Sequence, residues 1–583
     1  MKTRLSFIAP LILATLVGCA ASSHLPNADT LYQSLAEDYL TGYLAWRPGA
    51  GTGLGLHEYD GKVTDLSAAS LAAEHARLVK FREALGEIVK HRSLSPDLSR
   101  EARTLLCSID GELQSFDVFR SYTHNPMTYA GAYDLTTYAK RDFAPKPQRL
   151  RSVIAILKKT PDSLAAARAN LEEHLPKVFI TTAIEQANGS ADFMTDDLVK
   201  AFEDVKDPAL QSEFVRTRAV AASALRDYAK WLSSEKLPKA DDSFALGRDG
   251  YIRMLRDTEL LTQSPEQILE IAERELKREQ RQFAAAAAEI DPSKPAIAVF
   301  KSIQRDHPTE QSLIPDATRR LDTIRQFIID RSLVSFPSMV SVKVEETPKF
   351  ARATSFASMD SPGPFERAAE AFYYITPPEP DWDAKKKEEW LTSFNFYATD
   401  VTSIHESYPG HYVQSLHLKA SDASKIAKIF GSYAYIEGWA HYCEQMVIDE
   451  GFPEAGDRVK RAKYRLEQSQ ESLLRICRLC VSVRMHCQKM SIDEATRFFV
   501  ENCYYEPAPA RQEAKRGAFD PGYGFYTLGK LQILKLREDY RRQEGSGFTL
   551  QRFHDALLDH GQPPIRLLRE ALLKNRELWE ATM

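Results

Sequence analysis

Beyond its N-terminal segment the sequence has no apolar run long enough to cross a bilayer, so any membrane contact is confined to that segment. It lacks a strong charge imbalance: the net charge is −5 over 583 residues. That balance argues against nucleic acid and against an anionic membrane surface as partner. No fixed-period repeat stands out, which excludes a solenoid. Cysteine is sparse, seven in all, and only Cys477-Arg478-Leu479-Cys480 has a redox or zinc spacing. With no second pair at metal spacing, those two read as buried helix cysteines. The six beyond Cys19 could pair in an oxidising compartment, in a connectivity the spacing does not reveal.

What is present is ordinary for a soluble globular protein, 43% apolar and 27% charged residues. Lys2 and Arg4 precede an apolar stretch from Leu5 to Val17, the layout of a secretory signal. It ends in Leu16-Val17-Gly18-Cys19, the pattern of a bacterial lipoprotein signal in which Cys19 is lipidated and becomes the new N-terminus. An ordinary signal peptide cleaved nearby is the alternative. Ala20 in place of Asp favours the outer membrane, facing the periplasm, if the source is Gram-negative. The expected layout is a signal over 1–18, a tether over 19–29, a helical region over 30–335 forming one wall of a cleft, and a site-bearing region over 336–583.

The fold class expected is mainly α with a small sheet. Ser264-Pro265-Glu266-Gln267 is a helix start, and Arg47 to Gly53 reads as a loop. Val340, Val342 and Val344 alternate with polar residues, a strand with one buried face. Phe372-Tyr373-Tyr374-Ile375 is a second strand candidate, and it makes Tyr373 and Tyr374 candidates for holding an extended peptide along an exposed edge. A purely structural hairpin accounts for the same pattern.

The chemistry concentrates in His405-Glu406-Ser407-Tyr408-Pro409-Gly410-His411. Two imidazoles and a carboxylate are the residue content of a zinc-hydrolase helix, but there the second His follows the first by four. Six positions on an unbroken helix turn the second ring by roughly 240° and raise it ~9 Å, so the rings would face apart. Pro409 cannot donate to the His405 carbonyl, Tyr408 before it is pushed out of helical dihedrals, and Gly410 tolerates almost any angle. The sequence thus breaks the helix between the two candidate ligands. Two unrelated histidines at a helix end are the plainer reading. Downstream, Glu437, His441 and Glu444 recur on one helical face. A glutamate on a following helix is the usual third ligand in thermolysin-type peptidases, which makes Glu437 the candidate. His441 and Glu444 are candidates to orient a ligand from behind; a solvated stripe explains the same spacing.

HESYPGH, AYIEGWAHYCE, RLCVSVRMH, PGYGFYTLGKLQILKLRE and FHDALLDHG together resemble the bacterial family called domain of unknown function 885, over roughly residues 30 to 575. The resemblance implies a mostly helical, zincin-like metallopeptidase fold and supplies no substrate. The dipeptidyl-peptidase III family, with a one-residue insertion in the same motif, remains zinc-dependent. On this reading His405, His411 and Glu437 hold Zn²⁺ and leave one position for water. Glu406 is the general base. His486 and Tyr526, at positions the family motifs share, are candidates to stabilise an oxyanion, with Tyr523 close behind. Arg516 is a candidate for a substrate carboxylate, as an exo-acting peptidase would need. The expectation is a zinc-dependent peptide hydrolase at the cell envelope, with a peptide substrate and membrane contact only through the lipid. The rivals are a non-catalytic lipoprotein binding a peptide or partner, and a zinc hydrolase of another amide or ester.

Overall fold

Local start signals are used where the sequence places them. In the computed structural model, which describes residues 27–583 apart from 132–134, 349–351, 353, 354 and 455, Ser264 forms a reciprocal cap with Gln267 and Pro265 fills the first turn. The helix that follows, Pro265–Ile290, turns Ile268, Ala272, Leu276 and Phe283 to one buried face. It lies along the helix Arg458–Gln488, the most extensive helix pairing in the molecule. From Ser472 to His486 that second helix is buried at every position but Arg475 and Arg484. A helix apolar on nearly all sides belongs inside, and this one is the pillar of the core.

One apolar core extends from Leu66 to Leu573, across the expected boundary at 335/336. A smaller one gathers the helices Ala28–Trp46, Ala68–His91 and Pro96–Asp117 beneath Ile426 and Phe430. The signal segment and Cys19 lie outside the described residues. Residues 28 and 29, expected at the end of a tether, are instead helical: Asn27 caps a helix that starts at Ala28. The expected loop at Arg47 to Gly53 is instead a short helix, Pro48–Gly53. Pro48 suits a first turn, and Gly51 lets the Tyr59 ring lie against the backbone, where a Cβ would come within 2.7 Å.

Helices thus fill the chain on both sides of one small sheet, the mainly α architecture expected. The sheet contains β1 (Lys343–Glu346), β2 (Ala357–Asp360) and β3 (Phe372–Ile375) in the order β1-β3-β2. β1 runs parallel to β3, with Val344 opposite Tyr373; β2 runs antiparallel, with Met359 opposite Tyr373. Two expectations are corrected here. The first strand begins after Val340, which is exposed. β3 is the central strand, so both of its backbone edges are paired and Tyr373 and Tyr374 cannot offer theirs to a peptide. Tyr373 turns its hydroxyl to Ser403, 3.4 Å away, and the Tyr374 ring lies against Phe372 on the other face. β1 and β2 are the outer strands, and the open edge beside Glu406 is that of β2. The Thr376 amide donates to the Phe356 carbonyl, and alternation along an antiparallel pair then aims the Met359 amide away from β3.

Candidate metal centre

Asn395 starts the first helix of the site, Phe396–Glu406, its side chain accepting from the amides of Tyr397 and Ala398. After Glu406 the ladder stops. The Ser407 and Tyr408 amides both turn back to the Ser403 carbonyl, Pro409 has no amide to give, and the Gly410 amide reaches the Ile404 carbonyl at 3.0 Å. At Gly410 the chain passes so close to the preceding helix that a Cβ would sit 1.7 Å from the His405 carbonyl oxygen, so glycine is required there. His411 then opens a new helix, His411–Ala420. The two imidazoles therefore stand on different helices, with ring centroids 4.9 Å apart and planes at 89°.

The turn between them is held from the helix Tyr433–Asp449. Trp439, fully buried, donates its indole N–H to the carbonyls of Pro409 (3.0 Å) and Gly410 (3.3 Å). Two residues earlier Glu437 brings Oε2 to 3.5 Å from His405 Nε2 and 3.3 Å from His411 Nε2. The three donor atoms lie within 4.8 Å of one another. Gly438 sets how close this helix comes to the next layer. It crosses Gly529 of the helix Phe525–Glu544, where a Cβ on Gly438 would meet the Gly529 backbone at 2.5 Å.

Glu437 Oε2 is buried and makes no hydrogen bond, although it faces two imidazole nitrogens. Two imidazoles and one carboxylate oxygen converging on a point are the donor set of a catalytic zinc site with an open position, and the residues fit that ion. Behind His405 the Glu444 carboxylate, fully buried, accepts from Nδ1 at 2.7 Å, which leaves Nε2 to face Glu437 and His411. Glu444 is itself held by Arg475 at 3.2 Å and by His441 Nδ1 at 3.1 Å. Burial opposes its charge, but Arg475 and the two histidines win and hold its carboxyl well below the usual range. Burial likewise works against protonated His405, yet Glu437 and Glu444 hold its pKa up at about 9. His441 is not among the converging donors: it sits behind Glu444, to which its Nδ1 is bonded, and burial and the nearby Lys530 lower its pKa to about 3.

Glu406 follows His405 on the rim, half-buried, and accepts from the Met359 amide on the free edge of β2. Burial raises its pKa against the pull of His405 and His411. Tyr526 lays its ring nearly parallel to that of His405 at 6.1 Å. Burial and the Glu437 charge push its hydroxyl up to about 12, so at neutral pH it is a donor. Arg516 reaches the same place, its guanidinium 5.9 Å from the Tyr526 ring centre, while Nε and Nη2 bond Asp520.

The other two expected donors are not brought there. His486 donates Nε2–H to the Gly517 carbonyl at 2.8 Å, and its Nδ1 accepts the Leu246 amide at 3.3 Å. Both nitrogens are committed and burial lowers its pKa to about 4, so His486 has nothing to give an oxyanion. Tyr523 is fully buried with its hydroxyl packed against Gly517, where a Cβ would lie 2.3 Å from it. Three participants were missed from the sequence: Met359, Arg475 and Tyr433, whose ring meets that of Tyr526 at 6.1 Å. Tyr433 precedes Glu437 by one turn on the same face, and that spacing was a usable signal. Nothing in the sequence near Met359 marks it.

Two solved structures share this fold. One is a proposed lipoprotein of unknown function from Shewanella oneidensis, 22% identical, covering 93% of this chain and 100% of its own with a TM-score of 0.74. The other is a proposed lipoprotein from Colwellia psychrerythraea, 18% identical, covering 96% and 100% with a TM-score of 0.77. An M32 carboxypeptidase from Deinococcus radiodurans R1 aligns at 13% identity over 93% of this chain and 95% of its own, with a TM-score of 0.42, too loose a likeness to bear on the reaction. No curated protein matches the sequence. Residues 48–572 match the family described as Bacterial protein of unknown function (DUF885), and the chain belongs to that family.

Proposed function

We propose that the protein is a zinc-dependent peptide hydrolase carried at the cell envelope by a lipid on Cys19. The observation that supports this most is the meeting of His405, His411 and Glu437 around an orphaned carboxylate oxygen, with Glu406 beside them. Zinc held by those three residues would lower the pKa of a water and polarise a carbonyl. Glu406 accepts a proton from the attacking water and returns it to the leaving nitrogen as the C–N bond breaks. Its raised pKa suits both halves of that exchange. Tyr526, protonated at neutral pH, donates to the carbonyl oxygen as charge builds on it. Glu444 keeps the His405 ring oriented with Nε2 forward. The Met359 amide holds Glu406, and the free edge of β2 offers an extended peptide a line to lie along.

The lipid anchor rests on the Leu16-Val17-Gly18-Cys19 pattern and on the lipoprotein description of the two fold relatives. No helix among the described residues is long and apolar enough to cross a membrane. Facing the periplasm from the outer membrane is the address we infer. The test of the reaction is digestion of a peptide library by the purified protein, zinc-loaded and chelator-stripped, followed by mass spectrometry. Cleavage that appears with zinc and disappears with chelator is expected; no cleavage in the zinc-loaded protein would overturn the reading. Labelled palmitate should enter the wild type and not Cys19→Ser.

A further inference from the structure

A cavity of about 750 Å³ lies two aromatic side chains away from the metal centre. Its inner wall includes Tyr433, Asp520 and Phe525. The Tyr433 ring packs on Tyr526 at 6.1 Å and on Phe525 at 5.9 Å, and Tyr526 in turn faces His405. The Tyr433 hydroxyl lies 3.4 Å from Asp520 Oδ2 and 3.4 Å from Arg516 Nη2. Two aromatic rings, Tyr433 and Tyr526, and one ion pair therefore stand as a neck between the cavity and the three donors.

The outer wall is built from the helix Pro96–Asp117 and from distant segments of the chain, with Phe119, Phe179, Phe244 and Phe430 interleaved with serines. Its charged members already have partners: Glu112 bonds Arg47, Arg120 bonds Glu172, Asp520 bonds Arg516, and Glu259, its pKa raised by burial to about 7, accepts from the Ser432 hydroxyl and the Ala434 amide. A ligand here is thus recognised by apolar bulk and neutral hydrogen bonds within the cavity, and by charge only at the neck. The volume suits a few large side chains and falls in the usual range for small-ligand pockets. At the neck Arg516 gives Nε and Nη2 to Asp520, Nη2 also to the Tyr433 hydroxyl, and bonds Tyr526; of a guanidinium's five N–H donors that leaves one for a further acceptor.

We infer that this cavity receives the C-terminal end of a short peptide, its terminal carboxylate met by Arg516 and a large apolar or aromatic side chain lodged among the phenylalanines. The inference rests on the hydrolase reading and adds the substrate class: short peptides with a free C-terminus and an apolar last residue.

Gly111 provides the test. A Cβ there would meet only Thr258 Cγ2, at 3.5 Å, on the cavity wall that Gly111 shares, so a side chain can start at this position without its Cβ striking backbone. In the zinc-loaded full chain, Gly111→Phe should lower the ratio of kcat/KM for a tripeptide ending in Phe over one ending in Ala at least tenfold. Ser115→Phe, one turn further along the same wall, should do the same if Gly111→Phe does not fold. C-terminal amidation should cost wild type at least tenfold in kcat/KM, and that penalty should vanish in Arg516→Gln. Equilibrium binding of the Phe-ended tripeptide to Glu406→Gln, which cannot turn over, separates the two readings. Binding there that Gly111→Phe abolishes, without wild-type hydrolysis, would keep the cavity and sink the hydrolase. Hydrolysis with an unchanged Phe-to-Ala ratio and no amidation penalty, or no tripeptide binding to Glu406→Gln, would overturn the cavity assignment.

Discussion

Glu406 and Glu444 are both carboxylates within reach of His405, and their environments give them different tasks. Glu406 stands half-buried beside the imidazoles with its pKa raised, poised to take a proton and release it. Glu444 is locked in charge by Arg475 and bonded to the back of the ring. Glu406→Gln should therefore keep its zinc while kcat falls about 10²- to 10⁴-fold, the span of a lost general base; metal analysis beside a peptide assay checks both halves. Glu444→Gln should weaken zinc binding about 10- to 100-fold, measured by chelator competition, because the ring loses its fixed orientation. At this scale the sequence disclosed groups whose spacing is itself the signal, namely His405, His411, Glu437 and Glu444. It concealed groups defined by what arrives from elsewhere. His486 looked available because no pattern shows that the Gly517 carbonyl and the Leu246 amide occupy its ring.

Among elements, the decisive ones are turns and crossings rather than whole helices. The break at Pro409-Gly410 was legible because proline and glycine act on their own backbone. That Trp439 pins the turn was not legible, because nothing around it in the sequence names the Pro409 and Gly410 carbonyls it meets. Trp439→Phe removes the donor to two buried carbonyls, and should cost about 1–3 kcal/mol of stability with a measurable loss of zinc affinity. Gly529→Ala should act on the same site from behind. Its Cβ would lie 1.8 Å from the Ala434 carbonyl, so the helices bearing Glu437 and Tyr526 must part, at about 1–3 kcal/mol by denaturant titration. The sheet was harder to read. Strand β2, Ala-Ser-Met-Asp, carries no alternation and becomes a strand only through β3, so it was invisible and β3 was mistaken for an edge.

For the molecule as a whole, the continuous core has drawn several acids inside. Burial raises Asp400 to about 6, Glu259 to about 7 and Glu467 to about 8. A carboxyl that keeps its proton in the native state, and loses it near 4.5 when unfolded, favours folding less and less as pH climbs between those two values. These groups should make stability fall from about pH 4.5 to pH 8. Glu467→Gln should match the wild type near pH 4.5 and exceed it above pH 8 by on the order of a few kcal/mol; thermal melts across that range would show it.

His405 and His411 belong to separate helices, whereas the usual motif keeps both rings on one. A cation between them is then a rivet joining two rods as well as a reagent. Removing it should loosen the joint first: amide hydrogen exchange in His411–Ala420 should quicken on chelation, while the pillar Arg458–Gln488 stays slow.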